Sequence, residues 1–333
     1  MADTMRIGLI GCGNHARANL TPAIKTVEGV QLVACADADE VAAHGAVQDL
    51  GFERPYLDYQ EMLSRETLDG VFVATPHHVL KDAVIAAVQS GRPVLVEKPM
   101  ALSKAGGEEI REAARKAGVP VMVAFCVRYA EGRRTMKSLL ERGVVGDVIL
   151  VNAAKAGPEH PLTSWRSQPD KGGGQLLWLG SHITDQLLWL IGDEPERVYG
   201  EIYWHRDTGA DQNTAYTIRF KSGVIANVLC SQNVTTGVDF VEIIGSAGRI
   251  KADWPSNVVE VQSEVLPEYK HPTTIRPRTL SNPQMYQDEM RAWLESVAQR
   301  REPPITVDDG VNVLAIIDAV FESGRTGVPV TLA

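Results

Sequence analysis

The chain contains 333 residues, of which 44% are hydrophobic and 23% charged, as in a globular protein long enough for two domains. Its net charge of −9 leaves too little basic surface to neutralise phosphate backbones, so we expect no nucleic-acid partner. No apolar run approaches the length of about 20 residues that spans a bilayer, and the first residues lack a secretory pattern, so we expect no membrane partner and a cytoplasmic location.

The first third of the chain alternates short apolar runs with helical patterns. Runs rich in Val and Ile are typical of buried strands, and they fall at 6–10, 30–35, 70–74, 94–97 and 119–124. Helical patterns lie between them, such as 80–90 and 104–117, and Gly118 stands where a helix C-cap is expected. This alternation predicts a parallel, doubly wound α/β domain over residues 1–125.

Residues 126–333 have a different pattern, which predicts a second domain of the α+β class. Helical patterns at 131–142 and 176–191 flank a first strand at 146–152 and a Pro- and Gly-rich loop at 157–174. Turn signals separate the next predicted strands, which favours an antiparallel sheet, and these strands fall at 197–204, 214–220, 223–231 and 238–244. We expect an extended loop over 256–281, followed by helices at 283–300 and 308–323.

A glycine-rich turn follows the first predicted strand. In Gly11-x-Gly13-x-x-Ala16 the first glycine permits a tight turn, the second lets backbone amides approach a pyrophosphate, and the small third residue allows close helix packing. The alternative is a purely structural strand-to-helix turn. Asp37 ends the second predicted strand, near the offset of about 20 residues expected for a carboxylate that binds a ribose 2′-hydroxyl. Because a carboxylate there would repel a 2′-phosphate, the pattern predicts NAD rather than NADP.

Two further strand ends carry polar residues. Thr75, Pro76 and His78 follow the strand at 70–74, at the edge of the sheet where open α/β folds bind ligands. The motif Glu-Lys-Pro at 97–99 ends the next strand, so that Lys98 would reach both a cofactor and a substrate. A surface turn is the alternative for the histidine, and a solvated side chain is the alternative for the lysine.

Taken in order, these motifs, a glycine run at 172–174 and His182 resemble the Gfo/Idh/MocA oxidoreductase family. The resemblance extends over the whole chain and includes its ending at 323–330. It implies an N-terminal Rossmann domain and a C-terminal domain whose open, mostly antiparallel sheet binds substrate and forms homodimers or homotetramers. It also implies that Lys98 is a catalytic lysine hydrogen-bonded to the reacting oxygen. We expect the cofactor to lie against Gly11, Gly13, Asn14, His15, Asp37, Thr75, Pro76, His78, Glu97 and Lys98.

The second half of the predicted site surrounds His182, whose imidazole exchanges protons near neutral pH. Many members of the family that the chain resembles carry Asp four residues before this histidine, where this chain has Trp178. The Trp178 ring cannot shuttle a proton but offers a stacking face to a sugar ring or a planar substrate. Asp185 would orient His182 if both lie on one helical face; a core histidine is the alternative. Candidates for substrate contact, several of which suit an ordinary surface equally well, are Arg128, Tyr129, Lys155, Trp165, Arg166, Trp178 and Asp185.

The resemblance predicts hydride transfer between NAD(H) and a secondary alcohol or ketone of a sugar, an inositol or a related polyhydroxy compound, with Lys98 and His182 as catalytic residues. One alternative recycles NAD during an oxidation and elimination that cleaves a glycoside. Another is a catalytically silent, cofactor-binding regulator. No His, Cys, Asp and Glu spacing suggests a metal site, so we expect none. The four cysteines are scattered, without a CxxC pair, and the three that lie in apolar strand-like runs are expected to be buried thiols.

Overall fold

A computed structural model describes residues 4–276 and 282–332 of the chain. The chain folds into two compact units. The first unit contains Met1–Cys126 and Pro283–Val311, and the second contains Val127–Asn282 and Asn312–Ala333. No helix among the described residues is both long enough and apolar enough to cross a membrane.

The first unit is built on a parallel six-stranded sheet. Its strands are β1 (Met5–Ile10), β2 (Val30–Ala36), β3 (Arg54–Tyr56), β4 (Gly70–Val73), β5 (Val94–Glu97) and β6 (Val121–Ala124). They lie in the order β3-β2-β1-β4-β5-β6, which is the order of the doubly wound dinucleotide-binding fold. This topology confirms the predicted fold class. Because all six strands are parallel, their carboxyl ends lie at the same edge of the sheet. The strand order reverses between β1 and β4, and the ends of these two strands are neighbours at that carboxyl edge.

Helices connect these strands, and most begin at side-chain caps. They are α1 (Thr21–Ile24), α2 (Glu40–Gly45), α3 (Tyr59–Arg65), α4 (His77–Gln89) and α5 (Lys104–Ala117). Asp39, Asp58 and Ser103 accept hydrogen bonds from the first turns of α2, α3 and α5. Gly118 ends α5 in the left-handed conformation, at φ 63°, as the sequence predicted.

The second unit is built on a nine-stranded sheet. Helices α6 (Glu131–Glu141) and α7 (Ser181–Ile191) belong to this unit. The strands are β7 (Val148–Ala156), β8 (Pro195–Trp204), β9 (Asp211–Phe220), β10 (Ile225–Ser231), β11 (Val238–Gly245), β12 (Gly248–Asp253), β13 (Val259–Ser263), β14 (Thr273–Ile275) and β15 (Val330–Thr331). Their order is β14-β13-β12-β11-β7-β10-β9-β8-β15, with β7 and β10 parallel and the other neighbours antiparallel. The prediction of a mostly antiparallel sheet is confirmed.

The prediction of an extended loop over residues 256–281 is wrong for part of that segment. Residues 259–263 form β13, which pairs with β12, and residues 273–275 form β14. Val259 and Val261 are buried on the same face, and this alternation stabilises the strand despite the polar residues between them. Residues 277–281 lie outside the described part of the chain.

The two faces of the nine-stranded sheet differ. A row of fully buried side chains crosses one face: Val198, Ile218, Ala226, Val151 and Ile243. The opposite face exposes large apolar side chains, among them Leu229, Tyr203 and Val238. These three line a shallow concavity of about 730 Å³. The sheet is therefore open on one side within the chain.

Residues 283–311 return to the first unit, although the sequence predicted that the second domain runs unbroken over 126–333. This segment contains nearly all of helix α8 (Asn282–Gln299) and only the start of helix α9 (Val307–Thr326), most of which belongs to the second unit. Trp293 of α8 is buried so closely against β4 that a Cβ on Gly70 would lie 2.9 Å from its ring. The Val123 N–H in β6 donates to Ile305 at 3.2 Å. The sequence pattern changes near residue 125, but this local change does not indicate that a later segment belongs to the first unit.

Candidate functional site

The glycine turn after β1 has the geometry of a phosphate-binding turn. Gly11 has a φ of 96°, and a Cβ there would lie 2.6 Å from the Ala74 backbone, so only glycine fits. Its N–H donates to the Ala36 carbonyl at 2.8 Å. Gly13 is exposed, and a Cβ there would meet no heavy atom within 4 Å. The backbone at Gly13 is therefore open to a large group such as a pyrophosphate.

Asp37 lies immediately after β2 and is held by backbone donors. One carboxylate oxygen accepts from the Cys12 N–H at 2.8 Å, and the other accepts from the Asp39 N–H at 2.9 Å. The first bond connects the glycine turn to the end of β2. Asp37 is thus oriented before any ligand binds, and its remaining lone pairs are available to a ligand.

A cleft of about 790 Å³ lies at this carboxyl edge of the sheet. Five predicted cofactor residues line it: Gly11, Gly13, Asp37, Thr75 and Pro76. Asp39 and Asp58 line it as well, while the described lining residues include no Lys or Arg. Asn14 and His78 are exposed and lie outside this lining. The open backbone at Gly13 leaves room for the pyrophosphate of a dinucleotide.

His15 connects the glycine turn to the end of β5. Its Nε2 lies 3.0 Å from a carboxylate oxygen of Glu97, and its Nδ1 lies 3.1 Å from the Asn19 amide nitrogen. Because an amide N–H donates, Nδ1 is the acceptor and Nε2 carries the proton that faces Glu97. Burial opposes ionisation of Glu97, but the neighbouring His15 and Lys98 outweigh it and lower the pKa of Glu97.

Lys98 is buried directly after β5. Its backbone N–H donates to the second oxygen of Glu97 at 3.2 Å, so this carboxylate is held from both sides. Tyr286 of α8 packs edge-on against the His15 ring, with ring centroids 5.8 Å apart. The sequence did not identify Tyr286, because nothing in the helical pattern of 283–300 indicates contact with a residue near position 15.

In the second unit the structure brings Arg128 and Asp185 together. Both oxygens of Asp185 accept from Arg128, and the Nε bonds measure 3.0 and 3.1 Å. Both side chains are buried. His182 lies in the first turn of α7, in the same helix as Asp185, and the orientation of His182 by Asp185 stays a prediction. Tyr129 follows Arg128 in the same short helical turn, which spans Cys126–Tyr129.

Lys155 belongs to a buried ion-pair network. Its ammonium pairs with Asp239, which lies directly opposite it on β11. Arg133 of α6 donates to the same carboxylate at 2.8 Å. The Lys155 ammonium also lies 5.1 Å from the Trp254 ring centroid. The sequence did not identify Arg133 or Asp239, because their pairing joins residues more than a hundred positions apart.

The remaining predicted residues of the second unit form an aromatic cluster. The Arg166 guanidinium carbon lies 4.9 Å from the Trp165 ring centroid and 4.3 Å from that of Trp178. The two indole rings are 6.4 Å apart at 77°, and His160 packs edge-on against Trp178. Burial and the charge of Arg166 lower the pKa of His160, which favours its neutral form. The cluster combines stacking surfaces with one cation.

Among the described residues, no group of three or more His, Cys, Asp or Glu side chains is arranged to hold a metal ion. The four cysteines are buried, and none of them forms a disulfide.

Comparison with known proteins connects both units to one family. Residues 5–125 match the model of an oxidoreductase family with an NAD-binding Rossmann fold, GFO/IDH/MocA. Residues 133–251 match the model of the GFO/IDH/MocA C-terminal domain.

Individual proteins resemble nearly the whole chain. D-xylose 1-dehydrogenase (NADP(+)) 2 of Haloferax volcanii is 26% identical over 328 residues, covering 98% of this chain and 100% of its own. Inositol 2-dehydrogenase 2 of Saccharopolyspora erythraea is 28% identical over 339 residues, covering 99% and 96%. The solved structure of levoglucosan dehydrogenase in complex with NADH has a TM-score of 0.92 at 21% identity, covering 99% of each chain. This last likeness concerns the fold.

Proposed function

The chain belongs to the Gfo/Idh/MocA family of oxidoreductases, and we propose that it transfers a hydride between NAD(H) and a secondary alcohol or ketone of a polyhydroxy substrate. The first unit binds the cofactor, and the second binds the substrate. The observation that carries this proposal is the cleft at the carboxyl edge of the parallel sheet, with its glycine turn and its oriented Asp37.

Asp37 supports NAD over NADP. A 2′-phosphate needs a cation, whereas this cleft is lined by Asp37, Asp39 and Asp58, without Lys or Arg among the described lining residues. Asp39 and Asp58 are helix caps, so their charges are fixed at the cleft by the fold. The H. volcanii relative is named as an NADP(+) enzyme, whereas the levoglucosan dehydrogenase structure holds NADH, so cofactor choice varies among similar proteins.

We assign catalysis to Lys98 and His182. Bound NAD would accept or supply the hydride at the carbon that bears the reacting oxygen. The Lys98 ammonium would donate a hydrogen bond to that oxygen and stabilise the charge that develops on it. His182 would take up the hydroxyl proton during oxidation and return it during reduction. Trp178, four residues before His182, would stack against the substrate.

The substrate class rests on the relatives, which act on xylose and inositol. A screen of sugars, inositols and uronates with NAD, followed at the NADH absorbance band, tests the proposal. We expect net NADH formation with at least one polyol or sugar. Glycoside cleavage without net NADH would instead identify the oxidation and elimination route, and cofactor binding without turnover of any class would overturn the enzyme assignment.

We further propose a homodimer or homotetramer formed through the open face of the nine-stranded sheet. Its exposed apolar side chains, Leu229, Tyr203 and Val238, would be covered by a second copy. We also propose a cytoplasmic location, because four cysteines without a disulfide suit a reducing compartment.

A further inference from the structure

Arg166 has an unusual position in the second unit. Its guanidinium is half-buried between the indole rings of Trp165 and Trp178, at 4.9 and 4.3 Å from their centroids. The two rings are inclined at 77° to each other, so the guanidinium lies in the corner that they form and its plane can stack on only one of them. The hydrogen bonds of Arg166 to described residues use its backbone, so the N–H donors of its two terminal nitrogens are left for a ligand.

No acidic side chain of residues 4–276 or 282–332 lies within ion-pair distance of this guanidinium. Its Nε is buried and donates to no described group. Burial lowers the pKa of Arg166, although the guanidinium stays charged in proteins. A partly desolvated cation without an anion is unfavourable, so this arrangement suits a site that an anion completes.

The backbone around Arg166 is held rigidly. The Ser164 hydroxyl accepts from the Arg166 N–H at 3.2 Å, and the Gly174 N–H donates to the Arg166 carbonyl at 2.9 Å. A Cβ on Gly173 would lie 2.6 Å from the same carbonyl, so the glycine run is required for this packing. The segment that carries Trp178 is anchored by the Leu176 N–H, which donates to buried Asp211 at 2.7 Å. The arginine is thus presented by a preformed frame.

From these contacts we infer that Arg166 binds the carboxylate of an acidic polyhydroxy substrate, such as a uronate or an aldonate. This inference rests on the proposed function and narrows its substrate class. The carboxylate would accept two hydrogen bonds from the guanidinium, and the indole of Trp178 would stack against the carbon skeleton that bears the hydroxyl groups.

A carboxylate fits the charge of the site better than a phosphate does. One guanidinium neutralises one negative charge, whereas a phosphate carries up to two. The other buried cations of this unit are already paired: Arg128 with Asp185, and Arg133 and Lys155 with Asp239. Because these three cations are paired, Arg166 is the cation that the aromatic cluster offers to an anion.

The test is calorimetric titration of the full chain with two matched pairs of ligands, in the presence and absence of NADH. D-glucuronate is compared with D-glucose, D-galacturonate with D-galactose, and inorganic phosphate is a separate probe. We expect at least one uronate to bind about tenfold to a hundredfold more tightly than its neutral counterpart, the range for hydrogen bonds to charged groups. Arg166→Gln should bring the ratio of uronate affinity to neutral-sugar affinity close to one, and Arg166→Lys should retain part of the uronate preference.

Arg325→Gln is the matched control, because Arg325 also lies over two aromatic rings of the second unit, those of Trp204 and Phe321, but is exposed. This variant should keep the wild-type ratio. Equal binding of acids and neutral sugars, an unchanged ratio in Arg166→Gln, or tighter binding of phosphate than of both uronates would overturn the carboxylate assignment.

Calorimetry measures binding without turnover. The carboxylate site and the proposed hydride-transfer activity can therefore be contradicted independently of each other. Uronate binding that depends on Arg166, without NADH formation from any substrate, would contradict the proposed activity and uphold this site. NADH formation from a sugar or polyol, together with uronate binding that is no tighter than neutral-sugar binding and is unchanged in Arg166→Gln, would uphold the proposed activity and contradict this site.

Discussion

The residues at the proposed cofactor site act through backbone geometry as much as through charge. Gly11 fits a position that no side chain tolerates, and Gly13 leaves the turn open. Asp37 fastens the same turn by accepting from the Cys12 N–H. Separate substitutions can test these roles, because the first depends on the missing Cβ of Gly11, the second on the open backbone of Gly13 and the third on the Asp37 carboxylate.

The two glycines should respond differently to alanine. Gly11→Ala forces a side chain into positive φ and against the Ala74 backbone, so we expect a loss of more than about 1 kcal/mol in the free energy of unfolding. Gly13→Ala has open space and should fold normally, but its methyl group would occupy the approach of the pyrophosphate. Thermal unfolding and NADH titration measure the two effects. Wild-type NADH affinity in Gly13→Ala would contradict the assigned cleft.

Asp37 should determine the choice of cofactor. We expect the wild-type protein to bind NADH more tightly than NADPH, because the carboxylate accepts from the ribose and repels a 2′-phosphate. Asp37→Ala should weaken NADH binding by about 1.5–3 kcal/mol and narrow the difference between the two cofactors. Fluorescence titration with both nucleotides is the measurement. Equal affinity of the wild-type protein for NADPH would refute the role of Asp37.

Among the secondary-structure elements, strands with a strong apolar pattern could be predicted from the sequence. Strands with a weak pattern, and contacts between residues far apart in the chain, could not. β1, β2, β4 and β5 are apolar on both faces, as buried parallel strands are. β3 has three residues, including Pro55, and carries no such pattern. The positions of Asp37 and Glu97 followed from strand ends. The contacts of Tyr286, Arg133 and Asp239 did not, because long-range packing is not encoded in local spacing.

Asp211, at the start of β9, gives this unit a dependence on pH. Burial raises the pKa of Asp211 to about 7, although backbone N–H donors oppose the shift. The folded state therefore binds a proton more tightly than the unfolded state, whose Asp has a pKa near 3.8. This group alone should lower the free energy of unfolding as pH rises from about 4 to 7, by at most about 4 kcal/mol.

Asp211→Asn removes that charge and keeps an acceptor for the Leu176 N–H. We expect the stability of the variant, relative to wild type, to improve as pH rises from about 4 to 7. Denaturant unfolding followed by circular dichroism at several pH values measures the difference. Exposed Asp207→Asn is the control and should not change this slope. A difference between Asp211→Asn and wild type that does not vary with pH would exclude the buried charge as its source.

At the scale of the whole molecule, the nine-stranded sheet presents an apolar face that the chain itself leaves open. Leu229 is 59% exposed near the centre of that face, opposite Ala154 and Ala215 on neighbouring strands. We expect the wild-type protein to be a dimer or tetramer in solution, and Leu229→Lys to shift it to smaller species, because a buried charge opposes the interface. Light scattering after size-exclusion chromatography measures the mass. A monomeric wild type would refute the interface.

The central claim is that this chain oxidises or reduces a polyhydroxy compound with NAD(H) and that Lys98 acts on the reacting oxygen. The most direct measurement compares NADH formation by wild type and by Lys98→Met on the first substrate that the screen identifies, with NADH affinity titrated in parallel. We predict that turnover falls by at least about a hundredfold while NADH affinity stays within about threefold of wild type. A Lys98→Met enzyme that retains most of its turnover would contradict the account.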